Sequence, residues 1–365
     1  MSVSLQRFQS FVFRLSSFVK MTPSSVLLIY TGGTIGMKHN AVTGALESVN
    51  FDSLLSYLPE LNQFDITIDT CAFNPPIDSS NMSPGLWVRI ASLIEERYSR
   101  YDGFVILHGT DTMSYTASAL SFMLENLTKP VVLTGSQLPI GQLRTDGKEN
   151  LITAIEIAAA RRPDGRAVAP EVCVYFNNSL YRGNRTTKRS ADQFTAFESF
   201  NYPPLAEAGI DIHYYPERIL QPDYTRPLKV HYRFDNNVIV MSLFPGYSEH
   251  IARQLFSIPG LKAIVMRTFG SGNAPQAAWL LQSLRQASDS GTVIVNISQC
   301  VNGSVEMNRY EPGLSLLEAG VQSGRDSTVE SAVTKLMLLL GECGNPAEVR
   351  RRMNESLCGE ITIEA

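Results

Sequence analysis

Hydroxyl side chains and glycines follow three predicted strands, at the point where each strand ends. Thr-Gly-Gly-Thr-Ile-Gly at 31–36 comes directly after a nearly unbroken apolar run, and His-Gly-Thr-Asp-Thr-Met at 108–113 follows a second run. Thr-Gly-Ser-Gln at 134–137 ends a third run. Open α/β sheets bind their ligands at the carboxyl ends of the strands. The three motifs therefore predict one shared polar edge, where a small substrate could be bound and attacked.

The first motif has two chemical interpretations. One is a phosphate cradle, because glycines let the backbone turn sharply and approach a ligand closely. The other is a nucleophile, Thr34, beside backbone N–H groups that could hold an oxyanion. Phosphate loops have a longer glycine spacing with a Lys-Ser/Thr ending, or the pattern G-x-G-x-x-G, and neither is present. The turn alone could also be a simple tight connection, so the motifs downstream are needed to choose among these interpretations.

Each of the other polar motifs has a structural alternative beside its chemical one. Asp111 could cap the following helix, and His108 fits a packed, hydrogen-bonded structural role better than a ligand role. The loop Asp-Ser-Ser-Asn-Met at 78–82 could cap the helix that begins at Pro84. The cluster Tyr-Arg-Gly-Asn-Arg-Thr-Thr-Lys at 181–188 could be a solvated charged face, but its lysine could also pair with the Asp111 carboxylate.

Taken in order, these motifs resemble the bacterial type I (cytoplasmic) L-asparaginase family. The resemblance extends over nearly the whole chain after residue 24, and it includes Thr-Gly-Ser-Gln at 134–137, Gly-Ser-Gly-Asn-Ala-Pro at 270–275 and Ser-Gln-Cys at 298–300. It implies an enzyme that hydrolyses the side-chain amide of asparagine to aspartate and ammonia through a covalent acyl-enzyme, without a cofactor. It also implies a homodimer or homotetramer.

The resemblance assigns roles to individual residues. Thr34 matches the nucleophile, and the supporting triad matches Thr110, Asp111 and Lys188. The groups that hold the α-amino and α-carboxylate ends of the substrate match Asp78, Ser79, Ser80, Thr110 and Asp111. A second, regulatory asparagine is implied near Arg267, Ser298, Gln299 and Cys300, with an ion pair across a subunit interface as the alternative for the arginine. A threonine hydroxyl needs a base or a cationic neighbour to become a good nucleophile, and Lys188 acting through Thr110 fits that need.

One segment departs from the family pattern. The polar stretch 38–44 predicts a mobile flap beside the first motif, and the family usually carries a tyrosine there that helps to activate the nucleophile. Residues 37–51 contain no tyrosine, and Ala45 or Leu46 aligns with that position. Either Tyr57 or another residue substitutes for it, or the activation geometry differs. The departure concerns catalytic efficiency more than the class of reaction.

Composition excludes several classes of protein. The chain of 365 residues has 44% hydrophobic and 18% charged residues and a formal net charge of −4, so it lacks the basic surface expected of a nucleic-acid or membrane-surface binder. Five histidines without metal-ligand spacing make a metal site an unfavoured interpretation. The cysteines are odd in number and without short paired spacings, which indicates free thiols and a cytoplasmic location; they are Cys71, Cys173, Cys300, Cys343 and Cys358.

Strand-like and helix-like segments alternate along the chain, which predicts an α/β fold with a larger N-terminal parallel-sheet domain and a smaller C-terminal α/β domain. The predicted boundaries are an extension at 1–24, a catalytic domain at 25–205, a linker at 206–230 and a second domain at 231–365. Predicted strands are 25–30, 104–107, 131–134, 172–176, 238–243, 263–266 and 293–297. Predicted helices are 84–100, 113–126, 150–161, 249–256, 276–287 and 328–340. The extension is amphipathic and free of acidic residues, like a targeting presequence, but Met21 is an alternative start.

Three other functions remain open at this stage. Two are enzymes: a glutaminase, or an amidotransferase subunit that acts with tRNA, although the latter usually carries a further N-terminal domain. The third is a catalytically silent regulator that binds an amino acid in the same pocket. A regulator has no need of a nucleophile, so the joint presence of Thr34, Thr110, Asp111 and Lys188 argues against it.

Overall fold

A computed structural model describes residues 23–39, 46–48, 58–309 and 311–363 of the chain. Most of the predicted extension 1–24 lies outside these residues. So do residues 40–44 of the predicted flap, and Ala45 and Tyr57, the candidate positions for its missing tyrosine.

The described residues form strands and helices, with a long run of strands between the helices at 147–159 and 249–256. The strands are β1 Ser24–Tyr30, β2 Met37–His39, β3 Leu46–Ser48, β4 Ile66–Ala72, β5 Gly103–Leu107, β6 Leu124–Glu125, β7 Val131–Thr134, β8 Val172–Phe176, β9 Ser179–Arg182, β10 Thr187–Lys188, β11 Phe197–Glu198, β12 Ala206–Ala208, β13 Ile212–Tyr214, β14 Lys229–Val230, β15 Val238–Ser242, β16 Ala263–Thr268, β17 Val293–Ser298 and β18 Gln322–Ser323. The helices are α1 Pro84–Arg97, α2 Met113–Met123, α3 Gly147–Ala159, α4 Glu249–Phe256, α5 Ala278–Asp289, α6 Glu311–Glu318, α7 Val329–Glu342 and α8 Pro346–Met353.

The larger sheet has the strand order β13-β12-β9-β8-β7-β5-β1-β4 within the described residues. The five strands from β4 to β8 in this order are parallel, and the other three are antiparallel. Tyr30 is paired with Leu107, and Leu107 is paired with Thr134. The three polar motifs therefore leave the sheet at the same level, as the sequence predicts.

Buried apolar side chains cover both faces of this sheet, because successive residues of a strand point to opposite sides. Leu27 and Ile29 of β1 face one core with α1 and α2, whereas Val26 and Leu28 face the other core with α3. The first helix begins at Pro84, which follows the N-cap residue Ser83 and suits the first helical position.

The smaller sheet is parallel, with the order β15-β16-β17-β18. Helices α4 to α6 pack on one face, and α7 and α8 on the other. Helix α7 also joins the two units, since Met337 and Leu338 belong to the core of the larger sheet while Leu336 and Leu339 belong to the smaller one. This contact holds the smaller unit against the helix that follows the second motif.

The predicted α/β class is confirmed, with three local differences. The sheet is not wholly parallel, because Asn177 and Asn178 have positive φ values of 45° and 69° and form a two-residue turn between β8 and β9. The helix predicted at 113–126 ends at Met123, since β6 pairs with β14 instead. Part of the segment predicted as a linker, 206–230, supplies the edge strands β12 and β13.

Within the part of the chain that the structure describes, no helix is long and apolar enough to cross a membrane.

Candidate active site

The turn after β1 approaches the turn after β5 so closely that there is no room for a side chain at Gly33. Gly33 has φ 96°, and a Cβ there would lie 2.5 Å from the Cα of Gly109. The Thr31 hydroxyl donates to the carbonyl of Leu107 at 2.8 Å, which fastens the two strand ends together. Thr34 begins a short 3-10 turn immediately after Gly33 and is partly exposed. The candidate nucleophile is therefore presented from a turn packed against the second motif.

The loop at 78–81 lies directly against the second motif. A Cβ on Gly109 would lie 2.5 Å from the Ser79 hydroxyl, and Thr112 donates its hydroxyl to the Ser79 carbonyl at 2.6 Å. Asp78 accepts a hydrogen bond from the backbone N–H of Ser80 at 2.9 Å and so caps the 3-10 turn Ser79–Asn81, whereas the helix that begins at Pro84 has Ser83 as its N-cap residue, without a side-chain hydrogen bond. The structure thus brings the three candidate substrate-binding residues of the loop to the predicted edge.

Lys188 lies within hydrogen-bonding distance of two residues of the second motif. Its Nζ donates to Thr110 Oγ1 at 2.8 Å and to Asp111 Oδ1 at 2.7 Å. The Lys188 side chain is 17% exposed, whereas that of Asp111 is 63% exposed. The Thr110 hydroxyl is also 3.4 Å from the Gln137 Oε1 of the third motif. A lysine so placed can exchange a proton with the threonine hydroxyl, and the exposed carboxylate remains open to a ligand.

Strand β10 carries Lys188 to this point. It pairs with β11, Lys188 opposite Phe197, and the Thr187 hydroxyl donates to Glu330 Oε1 of α7 at 2.5 Å. Burial raises the pKa of the Glu330 carboxyl, against the hydrogen bond from Thr187. The smaller unit thereby contacts the residue next to the candidate catalytic lysine.

His108 is a structural residue, as expected. Its Nδ1 is 2.6 Å from the Gly109 carbonyl, and its Nε2 is 2.9 Å from Thr116 Oγ1, which accepts from the Trp87 indole at 3.1 Å. Because the carbonyl only accepts, Nδ1 must carry the proton, and Thr116 must then donate to Nε2. Burial lowers the pKa of His108 to about 4, which agrees with a neutral ring. Sequence reasoning missed Trp87 and Thr116, because no local signal links them to the motif.

The neutral His108 predicts a loss of stability in acid. Its pKa falls from 6.5 to about 4 on folding, so the folded state binds fewer protons. The resulting stability is fully present above pH 6.5 and is lost as pH falls toward 4, by about 3 kcal/mol. We expect the free energy of unfolding in urea to fall less in His108→Gln than in the wild type over this range. The exposed His213→Gln is the control, and equal pH dependences for wild type and His108→Gln would contradict the assignment.

The residues matched to a regulatory site lie at the carboxyl edge of the smaller sheet. Ser298 donates to the Gly270 carbonyl at 2.6 Å, and Gln299 Nε2 donates to the carbonyls of Leu243 at 2.6 Å and Arg267 at 2.9 Å. Cys300 is exposed and its backbone N–H bonds to Ser298 Oγ.

The charge of Arg267 acts on groups of both units, since it opposes the rise in the pKa of Tyr115 of α2 and of Glu330 of α7 that burial causes. Its charge favours ionisation of Glu330, the carboxyl that Thr187 contacts. Buried polar atoms without a hydrogen-bond partner among the described residues include Nε of Arg267 and Oε2 of Glu330. The four matched residues thus share one edge, but two of their side chains already bind backbone carbonyls.

All five cysteines of the chain fall within the described residues, and each is a free thiol, as predicted. The described residues also contain no group of three or more His, Cys, Asp or Glu side chains that could hold a metal ion.

Comparison with known proteins shows the family of the chain. The chain matches the family described as Asparaginase, N-terminal, over residues 25–220, and the Glutaminase/Asparaginase C-terminal domain over residues 237–353. It is 44% identical over 352 residues to L-asparaginase 1 of Escherichia coli, covering 94% of this chain and 99% of that one. It is 42% identical to the mouse 60 kDa lysophospholipase over 93% of this chain, but spans only 63% of that protein.

A solved structure is similar to the whole fold. The crystal structure of L-asparaginase I from Vibrio cholerae superposes with a TM-score of 0.85 at 42% sequence identity, covering 93% of this chain and all of that one. Together, the two matched domains span most of the chain, and the relatives include proteins well above 30% identity over nearly their full length. The chain therefore belongs to the asparaginase family and is an amidohydrolase.

Proposed function

We propose that this enzyme hydrolyses L-asparagine to L-aspartate and ammonia through a covalent intermediate on Thr34. The observation that carries the proposal is the placement of Lys188 Nζ at 2.8 Å from Thr110 Oγ1 and 2.7 Å from Asp111 Oδ1, beside the packed turns of Gly33 and Gly109. The names of the E. coli and V. cholerae relatives, both L-asparaginases, support the same substrate.

The first half of the reaction forms the acyl-enzyme. The Thr34 oxygen attacks the side-chain amide carbon, while its proton passes toward the unit formed by Thr110 and Lys188. Backbone N–H groups of the glycine turn, or those near Thr110, hold the developing oxyanion, and each such donor contributes about 3–4 kcal/mol. The unit of Thr110 and Lys188 then passes this proton to the amide nitrogen, which leaves as ammonia. The bond between the amide carbon and nitrogen is broken, and an ester to Thr34 replaces it.

Water completes the reaction. The same lysine and threonine take a proton from a water molecule while its oxygen attacks the ester carbon. They then return that proton to the Thr34 oxygen as its bond to the carbon breaks. Aspartate is then released. These steps need no redox change, and in each half of the reaction the unit of Thr110 and Lys188 accepts one proton and gives it up again.

Two carboxylates and three hydroxyl side chains are proposed to hold the substrate; they belong to Asp78, Ser79, Ser80, Thr110 and Asp111. Asp111 is exposed and paired with Lys188 on only one oxygen in the described contacts, so its other oxygen can accept from the substrate's α-ammonium. The loop of Asp78, Ser79 and Ser80 presents a second carboxylate and hydroxyls on the other side of Gly109. Both ends of a short amino acid would thus be fixed by rigid strand ends.

We expect a strong preference for asparagine over glutamine. Fixing the α-substituents leaves little tolerance for one more methylene, which is worth about 1–3 kcal/mol even in a permissive pocket, or about 10–200-fold in kcat/KM. Ammonia release from asparagine, glutamine and buffer alone measures it. A ratio near one would favour a mixed asparaginase-glutaminase, and no release from either would favour a silent amino-acid regulator. Lysophosphatidylcholine belongs in the same assay because of the mouse relative's name, and fatty-acid release without ammonia would contradict the proposal.

Regulation by a second asparagine is proposed at Arg267, Ser298, Gln299 and Cys300. An arginine can bind a carboxylate through two parallel hydrogen bonds, and the Nε of Arg267 has no partner among the described residues. Its neighbour Glu330 contacts Thr187, so a ligand held there could act on the strand of Lys188. Such an effector must bind one state better than the other, typically by about 1–3 kcal/mol.

This regulation predicts a sigmoidal rate against asparagine concentration. Arg267→Met should make the curve hyperbolic without removing catalysis, because it deletes the carboxylate partner and leaves the Thr34 turn intact. Arg253→Met is the matched control, since its guanidinium pairs with Glu249 on the surface of α4. A hyperbolic wild-type curve, measured from far below to far above its midpoint, would end this part of the proposal.

A homodimer or homotetramer and a cytoplasmic location complete the proposed function. The location is inferred from the five free thiols, which suit a reducing compartment. The oligomeric state follows from the family resemblance, and light scattering at assay concentration would measure it.

A further inference from the structure

The motif that ends in Lys188 is anchored by a segment far away along the chain, residues 357–362. Arg185 lies three residues before Lys188, in the 3-10 turn Gly183–Arg185, and its side chain is almost fully buried. Its Nε donates to the carbonyl of Gly359 at 2.6 Å, and its Nη2 is 3.3 Å from the hydroxyl of Thr362. One buried guanidinium therefore donates two hydrogen bonds to a segment more than 170 positions away.

Two more polar residues of the motif, Arg182 and Asn184, contact the same segment. Arg182 Nη1 is 3.4 Å from the Gly359 carbonyl, which thus accepts from two arginines. Asn184 is fully buried and donates to the carbonyl and the sulfur of Cys358 at 3.0 and 3.1 Å. These buried side chains are therefore not a solvated charged face, because Asn184 and Arg185 contact the segment 357–362 and Arg182 also pairs with the buried Glu171 at 2.7 Å.

The segment 357–362 is in turn fixed by a buried ion pair. Glu360 and Lys335 of α7 lie 2.6 Å apart, with side chains 0% and 2% exposed. Glu360 also accepts from the backbone N–H groups of Leu357 and Cys358 at 3.0 and 2.9 Å. Removing one partner of such a pair leaves an uncompensated buried charge, so its geometry is strongly determined.

A second ion pair closes the connection. Arg185 Nη1 donates to Asp326 Oδ2 at 2.7 Å, and Thr362 gives the same carboxylate its backbone N–H at 2.8 Å and its hydroxyl at 2.5 Å. Although burial opposes its ionisation, Arg185 and these hydrogen bonds hold the pKa of Asp326 below its usual range. Arg185, Asp326 and Thr362 therefore form one charged, closed network.

We propose that the C-terminal segment 357–362 positions Lys188 for catalysis through its contacts with Arg182, Asn184 and Arg185. The segment lies beyond residue 353, where the family match ends. The inference rests on the proposed catalytic role of Lys188. A misplacement of about 1 Å at a reacting group can lower a rate about 100-fold, so an anchor three residues away acts on turnover rather than on substrate binding.

Glu360→Gln tests this directly, because it keeps the shape of the side chain and removes the charge that fixes the segment to Lys335. We expect kcat to fall at least tenfold, KM to stay within twofold, and the limbs of the kcat–pH profile to move by at least half a pH unit. Glu348→Gln is the matched control, since it makes the same change in a surface pair with Arg351. A folded Glu360→Gln enzyme with wild-type kcat and pH profile would overturn the inference.

Thr362→Val tests the role of the segment 357–362 if Glu360→Gln fails to fold. It leaves the buried ion pair intact but removes a hydroxyl that contacts Asp326 and Arg185. We expect a two- to fivefold fall in kcat with unchanged KM, and recovery in Thr362→Ser, which keeps the hydroxyl. Unchanged kcat in folded Thr362→Val would overturn the inference. Lys188→Met, assayed beside these variants, distinguishes failure of the proposed function from failure of this inference. If Lys188→Met stays active, the proposed function is wrong. If Lys188→Met loses activity while Thr362→Val and Glu360→Gln are normal, only the role of the segment 357–362 is refuted.

Discussion

Replacing Thr34 with alanine is expected to abolish the hydrolysis of asparagine. The nucleophile and its base act as a unit, so loss of the attacking hydroxyl should lower kcat by about four to six orders of magnitude. The fold should tolerate the change, because Thr34 is partly exposed and the strand ends are fastened by Thr31 and Leu107 instead. Aspartate should still bind with nearly wild-type affinity, since the residues proposed to hold its α-substituents are unchanged.

Single-turnover ammonia release and calorimetric titration with aspartate measure these two effects. Thr34→Ser is the matched control, because it retains a hydroxyl at the same position and should keep measurable turnover. A mass increase on trapping with asparagine would report the acyl-enzyme in the wild type, and none is expected in Thr34→Ala. Full activity in Thr34→Ala would contradict the assignment of Thr34 as the nucleophile.

Lys188→Met should lower kcat by about three orders of magnitude. Its Nζ contacts Thr110 and Asp111 at 2.8 and 2.7 Å, so the substitution removes the only cationic group that the described contacts give to Thr110. Because a proton-transfer unit fails when any member is missing, the double variant with Thr110→Val should be scarcely slower than either single variant.

The cycle of the two single variants and the double variant needs a stability control. Lys229→Met makes the same change at a surface lysine, paired with Glu125 and 63% exposed, where such pairs contribute about 0–1 kcal/mol. It should leave kcat unchanged. Losses that add on a logarithmic scale in the double variant would mean that Lys188 and Thr110 act independently.

The strand-end motifs show that local sequence patterns can predict which residues share one edge of the sheet. Apolar runs such as the one that ends at Tyr30 specify buried strands, and alternation with helices specifies parallel pairing. Parallel strands then share a carboxyl edge, so the positions of Thr34 and Thr110 on that edge follow from the sequence with no knowledge of distant contacts.

Other features carried a local signal that sequence analysis did not use. Asn177 and Asn178 are residues that tolerate positive φ, and an Asn-Asn pair between two apolar runs is a hairpin signal. The antiparallel strand β9 could therefore have been predicted. The early end of α2 could not, because β6 exists only through its pairing with β14, more than 100 positions away.

By itself, the sequence determined the α/β class, the shared strand-end edge and the residues that could perform the chemistry, since period, glycine turns and residue types are local properties. Only the tertiary structure decided that Lys188 contacts Thr110 across 78 positions and that Glu360 lies buried against Lys335. These contacts depend on register and on the packing of α7 between the two sheets. The residue type fixes the charge and the hydrogen-bonding capacity of each side chain. The packing of the whole chain then selects one partner for it among the many possible ones.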